Sequence, residues 1–157
     1  MKIKLTSILL AFVVALLIAL PGDSAFHTYD GHVVSADIEM LACAIYQEAG
    51  SDELSDELRM MVGDVILNRM MDDRFPFDMK DVLMQYGQYG SFYWTGIRWP
   101  DSAYAEEERE AVVRAYQIAE RMMYGEHSDL FGAGYIWQAE FPQGRDVIYR
   151  EGIYFGK

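Results

Sequence analysis

The run Leu41-Ala42-Cys43-Ala44-Ile45-Tyr46-Gln47-Glu48-Ala49-Gly50 constrains the fold most, because it favours one local structure and that structure has to be covered. Ile38, Leu41, Ala42, Ile45 and Ala49 recur at helical spacing. Ser35 or Asp37 is placed to cap the N-terminus, and Asp37 and Glu39 sit where the helix dipole favours negative charge. Gly50 is the expected C′ stop. At 100° per residue Glu48 falls beside Leu41 and Ile45, on the border of the apolar face, so a carboxylate is carried to the end of a helix that the core must bury.

The rest of the chain supplies that cover in a definite order. Ser55-Asp56-Glu57 opens a second helix with the stripe Leu58, Met61, Val62, Val65, Ile66 and Met70, and Asp72-Asp73 ends it ahead of Pro76. Asp78 caps a short helix over 78–84. Between Gln85 and Pro100 the aromatics Tyr86, Tyr89, Phe92, Tyr93, Trp94 and Trp99 alternate with Gly87, Gly90, Gly96, Gln85 and Gln88; neither period is sustained, so a structured loop is expected. Ser102 is read as the cap of a long helix running through Ala105, Val112, Ala115, Ala119 and Met122 to Gly125, with Glu106, Glu107 and Glu108 in its first turns. The final third turns to strand composition: Tyr135–Ala139, Val147–Tyr149 and Ile153–Phe155, separated by Pro142-Gln143-Gly144 and Glu151-Gly152. Helices first and short strands after give an α+β fold, mainly helical, with a small antiparallel β-sheet or ribbon in the C-terminal third.

Composition bounds the partners. Hydrophobic residues make up 52% of the chain and aromatics 14%, which excludes disorder despite a formal charge of −12. That charge also argues against nucleic acid, since nothing here neutralises phosphates in bulk. Met1-Lys2-Ile3-Lys4 precedes an uncharged run from Leu5 to Leu20, followed by Pro21-Gly22 and the small residues Ser24 and Ala25. This is the layout of a secretory signal over residues 1–25; the run of about 16 residues falls short of the roughly 20 that span a bilayer, so an uncleaved membrane tether through residues 5–20 is the lesser alternative. Residues 26–37 read as a linker or arm, and 38–157 as one catalytic domain, expected to be monomeric and to work outside the cytoplasm. With Cys43 as its single cysteine an exported chain has no internal disulfide and relies on its core.

Three scattered histidines, His27, His32 and His127, without an HExxH or CxxC pattern, give no basis for a metal or another cofactor. Cys43 lies mid-helix without a basic neighbour and reads as a small buried apolar residue rather than a nucleophile. That leaves carboxylates. To protonate the leaving oxygen of a glycosidic bond, an acid must hold its proton well above the usual glutamate range. Glu48 borders an apolar face and occupies the last turn of a helix, and desolvation and the negative dipole end both push it that way. The aromatic loop suits sugars, because flat rings such as Phe92 and Trp94 stack on pyranose faces while glutamines bond hydroxyls in both directions.

The ordered series Ala44-Ile45-Tyr46-Gln47-Glu48-Ala49, Val65-Ile66-Leu67-Asn68-Arg69, Arg74-Phe75-Pro76, Val82-Leu83, Gly87-Gln88-Tyr89, Gln138-Ala139-Glu140-Phe141-Pro142-Gln143-Gly144 and Gly152-Ile153-Tyr154-Phe155 resembles the SleB-type cell wall hydrolase family, best known for spore-cortex-lytic enzymes of germination. The resemblance covers roughly Ile38 to the end. It implies a lysozyme-like catalytic domain acting on peptidoglycan glycan strands, usually as a lytic transglycosylase that cleaves the MurNAc-GlcNAc β-1,4 bond to give 1,6-anhydro products. The essential glutamate of its Tyr-x-Glu-Ala motif falls on Glu48. Tyr46 from that motif, Gln88 and Tyr89 from the Gly-Gln-aromatic motif, and Gln138 and Glu140 from the late motif then join Phe92 and Trp94 as expected substrate contacts. Asn68 and Arg69 are expected to be structural. Two alternatives stay open: a hydrolytic muramidase with a second carboxylate, for which Glu140 is the candidate, and a non-catalytic cell-wall-binding protein.

Overall fold

The computed structural model describes residues 27–29 and 32–157. The expected export signal and its tether alternative lie outside the described residues. Among the described residues no helix is long and apolar enough to cross a membrane.

Two short antiparallel strands, β1 (His27–Tyr29) and β2 (His32–Val34), form within the segment read as an arm. Helix α1 (Ala36–Ala49) follows, capped by Ser35, whose Oγ accepts from the Ile38 N–H at 3.3 Å. Gly50 ends α1 for a different reason from the one expected. Its backbone is right-handed, with φ −76°; what requires glycine is that a Cβ there would overlap the Tyr46 carbonyl oxygen.

Helix α2 (Asp56–Met70) is capped by Ser55, which accepts from the Leu58 N–H at 3.1 Å. Helix α3 (Met79–Leu83), capped by Asp78, and helix α4 (Phe92–Thr95) lie in the middle of the chain, and α5 (Arg109–Met123) closes the helical part. The long helix expected from Ser102 is shorter than that. Residues Asp101–Tyr104 and Glu106–Glu108 are separate 3₁₀ turns, because Ala105 between them is extended, with ψ 145°. The Tyr46 hydroxyl donates to Glu108 at 2.8 Å, which ties this segment to the end of α1.

The sheet is the small antiparallel one expected: β3 (Trp137–Ala139), β4 (Ile148–Arg150) and β5 (Ile153–Gly156), in the order β3-β5-β4. Gln138 pairs with Phe155 and Tyr149 with Tyr154. The fold is mainly helical α+β.

Helix α2 is the centre of the fold. Its apolar stripe is buried from Leu58 to Ile66, with Met70 half-buried, but so are Arg59, Asp64, Asn68 and Arg69. It is covered by α1 and α5 on one side and by the C-terminal segment on the other. Toward the first side, α1, α3 and α5 pack together around Leu41, Ile45, Leu83, Ile118 and Met122; the end of the Met122 side chain lies over Gly63, where a Cβ would have to displace it. Toward the second, Leu58, Met61, Val62 and Val65 meet Leu130 and Phe155. Each fully buried aliphatic or aromatic side chain contributes about 1.5–3 kcal/mol, enough to hold buried polar groups in place provided that they are bonded.

Candidate active site

Those buried polar groups reach from α2 to the loops that surround Glu48. Asn68 donates to the carbonyls of Leu130 (2.7 Å) and Tyr135 (2.9 Å) and accepts from the Gly132 N–H (2.8 Å), which fixes the chain just before β3. Arg69 donates through Nε to the Ile136 carbonyl at 2.7 Å and through Nη1 to the Tyr89 hydroxyl at 3.0 Å. Its guanidinium lies between the rings of Phe75, Tyr89 and Trp137, at 5.3, 5.1 and 5.7 Å from their centroids. Arg59 fastens the turn after α1 by donating to the Ser51 carbonyl at 2.8 Å and the Leu54 carbonyl at 2.5 Å. The aromatic loop is anchored at its far end by Glu39, which accepts from Trp99 Nε1 at 2.5 Å and from the Tyr116 hydroxyl.

The result is a cavity of about 690 Å³ at the C-terminal end of α1. It is lined by Tyr46, Gln47 and Glu48 from α1, by Gly50, Ser51, Asp52 and Leu54 from the turn that follows, and by Pro100, Ser102 and Glu108 from the 3₁₀ segment. Among the described residues no lysine or arginine lines it. Glu48 is half-buried, and Gln138 Nε2 on β3 donates to its Oε2 at 3.2 Å. Burial pushes the Glu48 carboxyl above the ordinary glutamate range, against the smaller opposing effects of the Gln138 bond and the nearby Arg69 charge. A carboxyl that holds its proton and opens into a cavity can act as a general acid.

The residues expected to contact substrate separate into groups. Tyr46 lines the cavity, and its hydroxyl donates to Glu108 Oε2 at 2.8 Å. Gln138 meets Glu48 directly. Gln88 is half-buried on the aromatic loop. Tyr89 and Phe92 are corrections: both are buried, 1% and 0% exposed, Tyr89 as the partner of Arg69 and Phe92 in the helical core. Their rings are enclosed by protein and present no surface to the cavity. Trp94, 75% exposed, lines no wall of this cavity; it packs edge-on against Tyr93 and Tyr86, with centroids at 4.8 and 6.0 Å. Glu140 is exposed just beyond β3 and is likewise absent from the cavity walls.

Glu108 is the cavity residue that sequence reasoning missed. It reads as one of three glutamates favoured by a helix N-terminus, and only the break at Ala105 turns it toward Tyr46. Other nucleophile arrangements fall away. Cys43 is buried, and burial with the nearby Glu39 carboxylate pushes its thiol up to about 12. Asp64, His127 and Ser128 meet below the surface, but Ser128 Oγ donates to Asp64 at 2.6 Å while His127 Nδ1 approaches the other Asp64 oxygen at 2.9 Å, so the hydroxyl is not presented to the imidazole. Among the described residues no group of three His, Cys, Asp or Glu side chains is placed to hold a metal ion.

The Cell Wall Hydrolase family model matches residues 55–148. The chain belongs to the cell wall hydrolase family. This hydrolase is therefore an enzyme of peptidoglycan degradation, as its Tyr46-to-Ala49 and later motifs led one to expect. No curated protein and no solved structure matches the chain. The matched residues take in Asn68, Arg69, Gln88, Tyr89, Glu108 and Gln138 and begin just after the α1 segment that carries Tyr46 and Glu48.

Proposed function

We propose that this hydrolase is a lytic transglycosylase in which Glu48 serves as both acid and base. The observation that carries the reading is the position of Glu48: half-buried at the mouth of α1, open to a 690 Å³ cavity, with its carboxyl raised by burial and aimed by Gln138. Peptidoglycan supplies the reacting bond. Glu48 gives its proton to the glycosidic oxygen between N-acetylmuramic acid and N-acetylglucosamine, and the C1–O bond breaks with its electron pair going to that oxygen. The muramic C6 hydroxyl oxygen then bonds to C1, and its proton returns to Glu48. Water is not consumed, and the second carboxylate that a two-carboxylate hydrolase uses as nucleophile or base is not required.

Gln138 has a part in both steps. Its amide N–H stabilises Glu48 in the anionic form that exists between them, and keeps the carboxyl from rotating away from the sugar. Tyr46 and Gln47 offer polar groups along the cavity for sugar hydroxyls and acetamido groups. Glu140, the candidate for a second carboxylate in a hydrolytic alternative, is exposed and does not line the cavity, which favours the single-acid reading.

Acting on peptidoglycan implies work outside the cytoplasm. Export by the signal-like residues 1–25 is part of the same proposal, and N-terminal sequencing of the protein recovered from the envelope tests it. The chemistry is tested by mass spectrometry of purified peptidoglycan digested with the protein. 1,6-Anhydro-muropeptides are expected, with none released by Glu48→Gln. Reducing-end products alone would mean hydrolysis, and binding without release of soluble fragments would mean that the site does not turn over.

A further inference from the structure

The cavity that holds Glu48 carries a second carboxylate, Glu108, whose position the transglycosylase steps above do not explain. Glu108 stands at the N-terminus of α5, where a glutamate ordinarily turns back to its own helix. It makes no capping bond there. Its neighbours behave as surface residues: Glu106 pairs with Arg109 at 3.8 Å and Glu107 is exposed. Glu108 instead is half-buried and lines the cavity that holds Glu48, with Oε2 bonded to the Tyr46 hydroxyl. Ser102 lines the cavity beside the same hydroxyl, so the carboxylate is held by Tyr46 where the end of α1 meets the 3₁₀ segment. Among the described residues its Oε1 has no hydrogen-bond partner, and no cation lines the cavity to neutralise it.

We propose that Glu108 is a second catalytic carboxylate, which contacts the muramic ring and stabilises the positive charge that develops on it as the glycosidic bond breaks. The proposal rests on the reading of Glu48 as the acid and adds to it. When Glu48 gives up its proton, the sugar becomes cation-like at C1 and the ring oxygen. A fixed negative group beside it lowers the energy of that state and does nothing comparable for the neutral ground state, which is the condition for accelerating the step. Because Glu108 is held by Tyr46 before substrate arrives, it needs no reorganisation as the charge appears. It takes no proton and forms no bond: the proton inventory stays with Glu48 and the C6 hydroxyl, so the products remain 1,6-anhydro sugars.

The test is steady-state kinetics with soluble peptidoglycan strands, on the full chain and on Glu48→Gln, Glu108→Gln, Tyr46→Phe and Glu107→Gln, with product analysis and thermal unfolding of each. A charge acting at the transition state predicts that Glu108→Gln lowers kcat by roughly 10- to 100-fold, less than the loss of an oxyanion-hole donor because the cavity is open to water. KM and melting temperature are expected to stay near wild type and the products to stay anhydro. Tyr46→Phe keeps the charge and loosens it, so its loss is expected to be smaller; Glu107→Gln removes the same net charge from the surface and is expected to change nothing. The proposal is overturned if Glu108→Gln keeps kcat within twofold, if it loses no more than Tyr46→Phe does, or if it converts reducing-end products into anhydro ones, which would make Glu108 a base for water. Retained turnover in Glu48→Gln would instead overturn the reading of Glu48, independently of what Glu108 does.

Discussion

Gln138 Nε2 donates to Glu48 Oε2 at 3.2 Å, a bond between residues 90 positions apart that joins the end of α1 to the middle of β3. It acts against burial: the amide N–H lowers the Glu48 pKa, while desolvation raises it and prevails. Gln138→Leu is therefore expected to raise that pKa further. Since the acid works only while protonated, the alkaline limb of the kcat/KM profile moves to higher pH. kcat itself is expected to fall roughly 10- to 100-fold as the carboxyl loses its fixed aim. The pH–rate profiles of the two proteins check both; an unmoved limb means that Gln138 does not touch the acid in solution.

Glu48→Gln is expected to abolish turnover and to stabilise the fold at neutral pH. The folded-state pKa is raised above the ordinary 4.5, so the native protein binds the Glu48 proton more tightly than the unfolded chain does. Stability contributed by this group is then full below about 4.5 and is lost as pH rises through the folded pKa. The neutral glutamine escapes that loss. Melting temperatures measured at pH 7 and at pH 4 should show the variant ahead at pH 7, with the gap closing in acid; a variant less stable at pH 7 would mean that the carboxylate is well solvated.

The two aromatic residues chosen from one loop should separate cleanly. Phe92 is wholly buried against the helical core, so Phe92→Ala is expected to cost about 3–5 kcal/mol in urea unfolding. Trp94 is 75% exposed, and Trp94→Ala should stay within about 0.5 kcal/mol of wild type. If the exposed indole stacks on a sugar beyond the cavity, the same variant raises KM on long strands by about 3- to 10-fold with kcat intact. An unchanged KM assigns the indole no part in binding.

What the sequence made legible follows from local rules. Ser35 and Ser55 announce their helices because an N-cap needs only its own next few residues. The strand runs around Trp137, Ile148 and Ile153 are bounded by turn residues on either side. Helical period puts Glu48 on the apolar border, and the resemblance at Tyr46-to-Ala49 is what gives it a role. Glu108 could not be read in the same way, because its direction depends on the Tyr46 hydroxyl, 62 positions away, and on one extended residue, Ala105. Tyr89 and Phe92 were misjudged for a related reason: an aromatic loop has no period to say which rings point inward. The burial of Arg59 and Arg69 was equally hidden, since α2 is covered on several sides and its apolar stripe describes only one of them.

Arg59 shows what that hidden burial does for the site. Its guanidinium, 1% exposed, donates to the Ser51 and Leu54 carbonyls and approaches Asp56 Oδ1 at 3.4 Å. Ser51, Asp52 and Leu54 line the Glu48 cavity, so a charge buried in the first turn of α2 sets the shape of that cavity. Arg59→Met keeps most of the volume and strips the donors. Each carbonyl left without a partner costs about 1–3 kcal/mol, less whatever water recovers, so a loss of about 2–4 kcal/mol is expected in urea unfolding. That lining should loosen as well, raising KM and opening residues 51–54 to limited proteolysis. Glu151→Gln is the comparison: that exposed carboxylate accepts from Ser55 on the same turn, and its neutralisation should cost under about 1 kcal/mol and leave the proteolysis pattern unchanged. Equal losses in the two variants would mean that the turn is held from outside by Glu151 rather than from beneath by Arg59.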